Sequence, residues 1–245
     1  HRAINSDISN GADDLAAGSA YILQKTGARS LLLYGISSGA LKAALFAERH
    51  PERVAKIALD AYVWTGEGSH TLEQRRKKLP EFLAKNRRPI DRAFVHSIFE
   101  RDHPGTADDA TINAFADAIL TLDDSMPTGT YVDMCSRLPL TDPRKLLAPT
   151  LILRGEWDGI ASLDDLLAYY RLLPNMNKQF SVLGTDEGWL VGSVRTVDVY
   201  TKPGDPDVKY LPRTTGALEP RNLGRFVTCL NQPREVTVAS GPDSH

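Results

Sequence analysis

The chain has 245 residues, 42% hydrophobic and 24% charged, with a formal net charge of −2. That length accommodates one large domain or two small ones with a sizeable core, and the near-neutral balance gives no global attraction to nucleic acid or anionic membrane. No apolar run is long enough for a transmembrane helix, and Cys135 and Cys229 stand in unrelated contexts that suggest neither a disulfide framework nor a metal site.

The cysteine usage fits a reducing compartment, so a cytoplasmic location is expected. The chain begins at His1 without a basic segment leading into an apolar one, so no signal peptide is expected.

The first element is a helix over about Ala12 to Thr26. Asn10 is its expected N-cap, Asp13 and Asp14 complement the dipole in its first turn, and Gly27 ends it. Leu31-Leu32-Leu33-Tyr34 is a short continuous apolar run of the kind a buried parallel strand shows. Gly35-Ile36-Ser37-Ser38-Gly39 follows directly and opens a helix to about Arg49, which Pro51 terminates. Val54 to Leu59 is the next strand. Strand, helix and strand in close succession make a βαβ unit, so these strands are expected to be parallel with a right-handed crossover.

From about Val63 to Pro149 helices and loops replace sheet. Thr71 with Gln74 has the form of a capping box, opening a helix broken at Pro80. Ile90 to Glu100 and Thr111 to Leu122 read as two further helices, and Ser125 to Thr130 as a loop. The basic residues Arg75, Arg76, Lys77 and Lys78, and the pair Arg87 and Arg88, are assigned to solvated helix faces rather than to a polyanion site. No diagnostic polar cluster for a substrate is evident here.

Sheet returns at Thr150 to Leu153. Ser162 and Asp165 then suggest a second capping box, opening a helix that Pro174 terminates, and Lys178 to Leu183 gives one more strand. Beyond Leu190 helical periodicity is lost. Val194 to Thr201 and Asp207 to Leu211 are candidates for a hairpin, with the rest irregular. The chain therefore divides into a first core part (1–62), a helical insertion (63–149), a second core part (150–190) and an irregular tail (191–245).

Two features carry chemistry. Gly35-x-Ser37-x-Gly39 lies between a buried strand and a helix, where glycines at both flanks let strand and helix approach closely and a sharp turn exposes the serine. At that helix N-terminus the dipole and the Ser38 N–H are placed to stabilise an oxyanion. Asp158 follows a buried strand by a few residues in Arg154-Gly155-Glu156-Trp157-Asp158-Gly159, where a carboxylate would orient a catalytic imidazole. The same first unit, with Asp60 some way after its glycine turn, has a dinucleotide-binding pattern as a rival reading. Ser37, however, stands where a glycine must let pyrophosphate approach.

The chain from Asn5 to about Leu183 resembles bacterial α/β-hydrolases of the capped serine-hydrolase type. The matching stretches are Asn5-Ser6-Asp7-Ile8, Tyr34 to Leu41, Asn86-Arg87-Arg88-Pro89, Pro127 to Tyr131, and Leu153 to Ala161. The resemblance implies a partial α/β-hydrolase fold: a parallel sheet with helices on both faces, a helical cap inserted between its sixth and seventh strands, and an irregular C-terminal tail. It also implies Ser37 as nucleophile, Asp158 as triad acid and Ser38 as oxyanion-hole donor.

The chain departs from that family in two places. Family members carry the triad histidine shortly after the eighth strand, yet Gly184 to Leu190 contains none, and Gly188 or a neighbour falls at its position. None of the six histidines is an evident replacement, although His96 and His103 lie where a cap overhangs the site. The resemblance also begins at the helix before the family's fifth strand. Leu31 to Tyr34 is thereby left as an apolar edge suited to self-association. A partial gene product with a foreign C-terminal segment, such as one read in a shifted frame, is the expectation that follows.

The expected function is a serine hydrolase acting on a carboxylic ester or related small-molecule acyl substrate, with no cofactor, metal, nucleic acid or membrane partner. The alternative is a catalytically inactive remnant lacking the triad histidine, acting at most as a binding or interaction module.

Overall fold

The computed structural model describes residues 4–105, 107–183, 199–201 and 236–238. Helix α1 (Ile8–Thr26) starts earlier than expected because Asp7, not Asn10, is its N-cap. The Asp7 carboxylate accepts from the Asn10 N–H at 2.7 Å, and the Asn10 side chain accepts from the Asp7 N–H at 3.3 Å. This reciprocal pair satisfies two first-turn donors. Gly27, at φ 69°, closes the helix.

Strand β1 (Leu31–Ile36), helix α2 (Ser38–Arg49) and strand β2 (Val54–Asp60) form the expected βαβ unit. Strand β5 (Thr150–Gly155), helix α8 (Leu163–Leu172) and strand β6 (Lys178–Leu183) complete a parallel sheet of order β1-β2-β5-β6. Side chains alternate across it, as a period of two requires. Ile57, Leu59 and Ile152 join the main core with Ile8 of α1, Leu41 and Phe46 of α2, and Leu166 and Tyr169 of α8. Ala58, Leu151, Leu153 and Leu183 form a second cluster on the opposite face.

Among the described residues β1 has a partner on one side only, and its alternate residues Leu32 and Tyr34 are 41% and 43% exposed. The fully buried strand that its composition suggests is realised on β5 instead.

Between β2 and β5 run α3 (His70–Arg76), α4 (Leu79–Ala84), β3 (Arg87–Pro89), α5 (Arg92–Glu100), α6 (Asp109–Leu120), β4 (Ser125–Pro127) and α7 (Gly129–Ser136). Several local expectations change here. Ser69, not Thr71, caps α3, and the Thr71 hydroxyl instead donates to Asp102 at 3.0 Å. Pro80 sits in the first turn of α4, where its missing N–H has no cost.

Ser125–Pro127 is a strand rather than a loop. It pairs antiparallel with Arg87–Pro89, which removes Arg87 and Arg88 from any helix face. Helix α7 has no strong periodic signal and is held by tertiary contacts. Buried Asp133 accepts the Ile8 N–H at 2.8 Å, and Thr130 donates to the Ser6 carbonyl at 2.8 Å.

The second capping box is half formed. Ser162 Oγ accepts the Asp165 N–H at 3.2 Å, but the Asp165 carboxylate turns away to accept the N–H groups of Trp64, Thr65 and Gly66 at 3.1–3.2 Å. In the tail, β7 (Val199–Thr201) pairs antiparallel with β8 (Val236–Val238). The candidate hairpin partner Asp207 to Leu211 lies outside the described residues, as do Gly184 to Leu190.

Candidate active site

Ser37 occupies the turn between β1 and α2 with φ 53° and ψ −122°. A non-glycine residue in that region is strained and persists only where its surroundings fix it. Two backbone bonds do so here: the Ser37 N–H donates to the Asp60 carbonyl at 2.8 Å, and the Ala40 N–H donates to the Ser37 carbonyl at 3.0 Å. Ser38 opens α2, so its N–H is among the first-turn donors without an intrahelical acceptor.

The two flanking glycines prove unequal. A Cβ on Gly35 would stand 2.6 Å from the Gly39 carbonyl oxygen and 2.7 Å from the Ala40 Cα, so strand and helix touch at this point. A Cβ on Gly39 would meet nothing within 4 Å. Close approach therefore requires only the first glycine, because Gly39 lies in the first turn of α2 and faces open space.

Asp158 lies on the loop after β5 and is 5% exposed. Its Oδ1 accepts the Ile160 N–H at 2.8 Å, while its Oδ2 is buried and has no hydrogen-bond partner among the described residues. Burial raises its carboxyl above the usual carboxylate range, opposed by the Ile160 N–H and the charge of Arg154. The loop is shaped by Arg154, whose guanidinium donates to the carbonyls of Gly155, Glu156, Asp158 and Ala161 at 2.7–3.1 Å. Nothing in the sequence distinguished Arg154 from an ordinary strand-end cation.

Ser37, Ser38 and Asp158 line one cavity of about 510 Å³, together with Lys42, Arg75 and Arg101. Arg101 is clamped by Asp102 through two parallel bonds of 2.9 and 2.7 Å. Arg75 lies far from the solvated helix face expected of it. Its turn of α3 looks into the space above Ser37, which a run of four basic residues cannot reveal.

No histidine among the described residues lines this cavity. His96 Nε2 is 3.1 Å from Asn113 Oδ1, on the contact between α5 and α6. The His103 ring stacks on Trp157 with centroids 4.4 Å apart. Gly184 to Leu190, where the family resemblance places a triad histidine, lies outside the described residues.

The dinucleotide pattern gains no support from Asp60, whose carboxylate accepts the Tyr34 hydroxyl at 2.7 Å. Among the described residues no group of three or more His, Cys, Asp or Glu side chains is arranged to hold a metal ion, and no helix is long and apolar enough to cross a membrane.

Comparison with known proteins identifies the fold. The family model described as the alpha/beta hydrolase fold matches residues 4–186. No curated protein matches the chain. Among solved structures, a thermophilic esterase from Thermogutta terrifontis is 22% identical with a TM-score of 0.51, over 76% of this chain and 66% of that one. An alpha/beta hydrolase fold protein from Chitinophaga pinensis is 12% identical with a TM-score of 0.51, over 75% of this chain and 66% of that one. A monoacylglycerol lipase from Paleococcus ferrophilus is 15% identical with a TM-score of 0.50, over 75% and 67%. The chain thus spans about two thirds of the length of these structures. With three-quarters of its own residues covered by that family model, the chain belongs to the α/β-hydrolase fold family.

Proposed function

We propose that this protein is a serine hydrolase acting on a carboxylic ester or related small-molecule acyl substrate. Ser37 Oγ attacks the carbonyl carbon, a histidine takes its proton, and Asp158 orients that imidazole. The observation that carries the reading is the cavity shared by a strained Ser37 and a buried Asp158 whose Oδ2 has no partner among the described residues. A buried carboxylate oxygen without a donor is costly, and an imidazole N–H would satisfy it. The Ser38 N–H, at the positive end of α2, is the proposed donor to the tetrahedral oxyanion. Residues 63–149 serve as the cap that selects the substrate, and the buried free thiol of Cys135 supports a reducing, cytoplasmic setting.

A second reading is a hydrolase remnant without turnover, supported by the absence of histidine from Gly184 to Leu190. Without a base, serine is a weak nucleophile and the rate falls by several orders of magnitude. In that case the exposed Leu32 and Tyr34 on the β1 edge make self-association the main activity left to the fold.

A fluorophosphonate probe separates the two. Labelling that disappears in Ser37→Ala supports the hydrolase, and absence of labelling in folded protein supports the remnant. Sedimentation velocity on the wild type and on Leu32→Lys tests the edge: association that the lysine abolishes supports it, and a monomer at all concentrations rejects it.

A further inference from the structure

A second cavity of about 330 Å³ adjoins the first, with Arg75, Phe94, Arg101, Asp102 and Tyr131 lining both. Its chemistry is unbalanced. Among the described residues, Arg75, Arg88, Arg101 and Lys78 bring four cations to its wall, and Asp102 is its one carboxylate. Asp102 is already committed to Arg101, which leaves the other two arginines without a counter-charge.

Among the described residues neither Arg75 nor Arg88 forms an ion pair. Arg88 comes from β3 and is held between two rings, its guanidinium carbon 4.2 Å from the Phe94 centroid and 4.4 Å from that of Tyr131. Its Nη2 donates to the Tyr131 hydroxyl at 2.9 Å, while its Nε is buried and without an acceptor among the described residues. Arg75 approaches the same Tyr131 ring, at 5.5 Å, and its guanidinium makes no hydrogen bond among the described residues. Burial, and then repulsion from Arg101 and Arg88, lowers the Arg75 pKa, partly opposed by Tyr131. Two half-buried guanidinium groups thus share one aromatic ring, with no anion among the described residues to satisfy them.

An uncompensated buried charge is destabilising unless something pairs with it. A planar guanidinium with free donors matches a two-oxygen anion. The surrounding Phe82, Phe94 and Tyr131 rings suit a weakly hydrated monoanion better than a strongly hydrated phosphate dianion.

We infer that the acyl substrate carries a carboxylate remote from its scissile carbonyl, seated between Arg75 and Arg88 while the carbonyl lies over Ser37. The substrate class is then the half-ester of a dicarboxylic acid, or an equivalent carboxylate-bearing ester. This inference rests on the serine-hydrolase reading for the position of the carbonyl, but anion binding itself does not depend on turnover.

The test is therefore a binding measurement on the full chain. Calorimetric titration compares monomethyl glutarate with dimethyl glutarate, in which a methyl group replaces the carboxylate's charge. The half-ester is expected to bind at least about tenfold more tightly, roughly 1.4 kcal/mol. Arg75→Met, which keeps the aliphatic stem, should remove most of that preference, and Arg76→Ala, on an exposed neighbour, should leave it intact. Should Arg88→Met fail to fold, Arg88→Lys keeps the charge but loses the planar fork, and it should weaken the half-ester alone.

Equal affinity for the two esters, or no measurable binding of either at millimolar concentration, overturns the proposal. So does a preference that survives in Arg75→Met. Fluorophosphonate labelling of Ser37 is read separately. Half-ester preference without labelling leaves the carboxylate site standing and rejects the hydrolase, whereas labelling without preference does the reverse.

Discussion

The Ser37 amide donates to the carbonyl of Asp60 at 2.8 Å, so the turn that bears the candidate nucleophile is pinned to the end of the neighbouring strand. Its strained φ is thus supported by sheet as well as by helix, and Gly35 makes the close approach possible. Gly35→Ala should cost about 1–3 kcal/mol, because the new methyl meets backbone that cannot give way. Gly39→Ala should leave stability unchanged or raised, since its methyl meets nothing and alanine favours the helix. Urea unfolding of the two variants checks the contrast. A similar loss in both would show that the glycines act together.

Asp165 is the knot between α8 and the chain leaving β2. Three backbone N–H groups converge on its carboxylate, and its own N–H is capped by Ser162. Asp165→Ala leaves those donors without their acceptor and should lower stability by about 2–3 kcal/mol, more than loss of the Ser162 cap alone. Thermal unfolding of Asp165→Ala and Ser162→Ala gives the order.

Glu48 on α2 is partly withdrawn from water, and its Oε1 accepts the Asp142 N–H at 2.8 Å. Burial pushes its pKa up to about 7, against the lowering effect of that hydrogen bond. The folded state therefore holds the proton more tightly than the unfolded chain. Its contribution to stability is complete below the unfolded carboxyl pKa and is lost as pH rises toward 7. Stability measured by denaturant across that window should fall with pH in the wild type, and Glu48→Gln should flatten the slope. An unchanged slope in Glu48→Gln would assign the effect to another group.

Gly129 opens α7 directly beneath the N-terminal segment. A Cβ there would stand 2.1 Å from the Asn5 carbonyl oxygen. Gly129→Ala should undock residues 4–7 and weaken the Thr130–Ser6 and Asp133–Ile8 bonds. Hydrogen exchange at the start of α1 should rise sharply, with a lower melting temperature. Exchange unaltered at Ile8 would show that the segment accommodates the methyl.

The elements with the strongest local signal were legible in sequence. The apolar runs of β1, β2, β5 and β6 and the periodic helices between them gave the parallel sheet, and Gly35-x-Ser37-x-Gly39 marked the elbow between β1 and α2. Less legible were features whose cause lies elsewhere in the chain. Strand β4 forms only because Arg87–Pro89 offers it a partner, and α7 forms against the N-terminal segment. The caps moved for the same reason: Thr71 and Asp165 find better partners across the fold than along it.

The site divides along the same line. Sequence by itself determined that a serine stands on a tight strand-to-helix turn and that an aspartate follows a later parallel strand, since both are local patterns of composition and spacing. Tertiary structure alone decided that Ser37 and Asp158 line one cavity, that Asp158 Oδ2 has no partner among the described residues, and that Arg75 and Arg88 turn inward over Tyr131. A charge run reads the same on paper whether it faces water or a cavity. Its burial depends on what packs opposite, and here that is a strand and a helix more than 35 residues away in the chain.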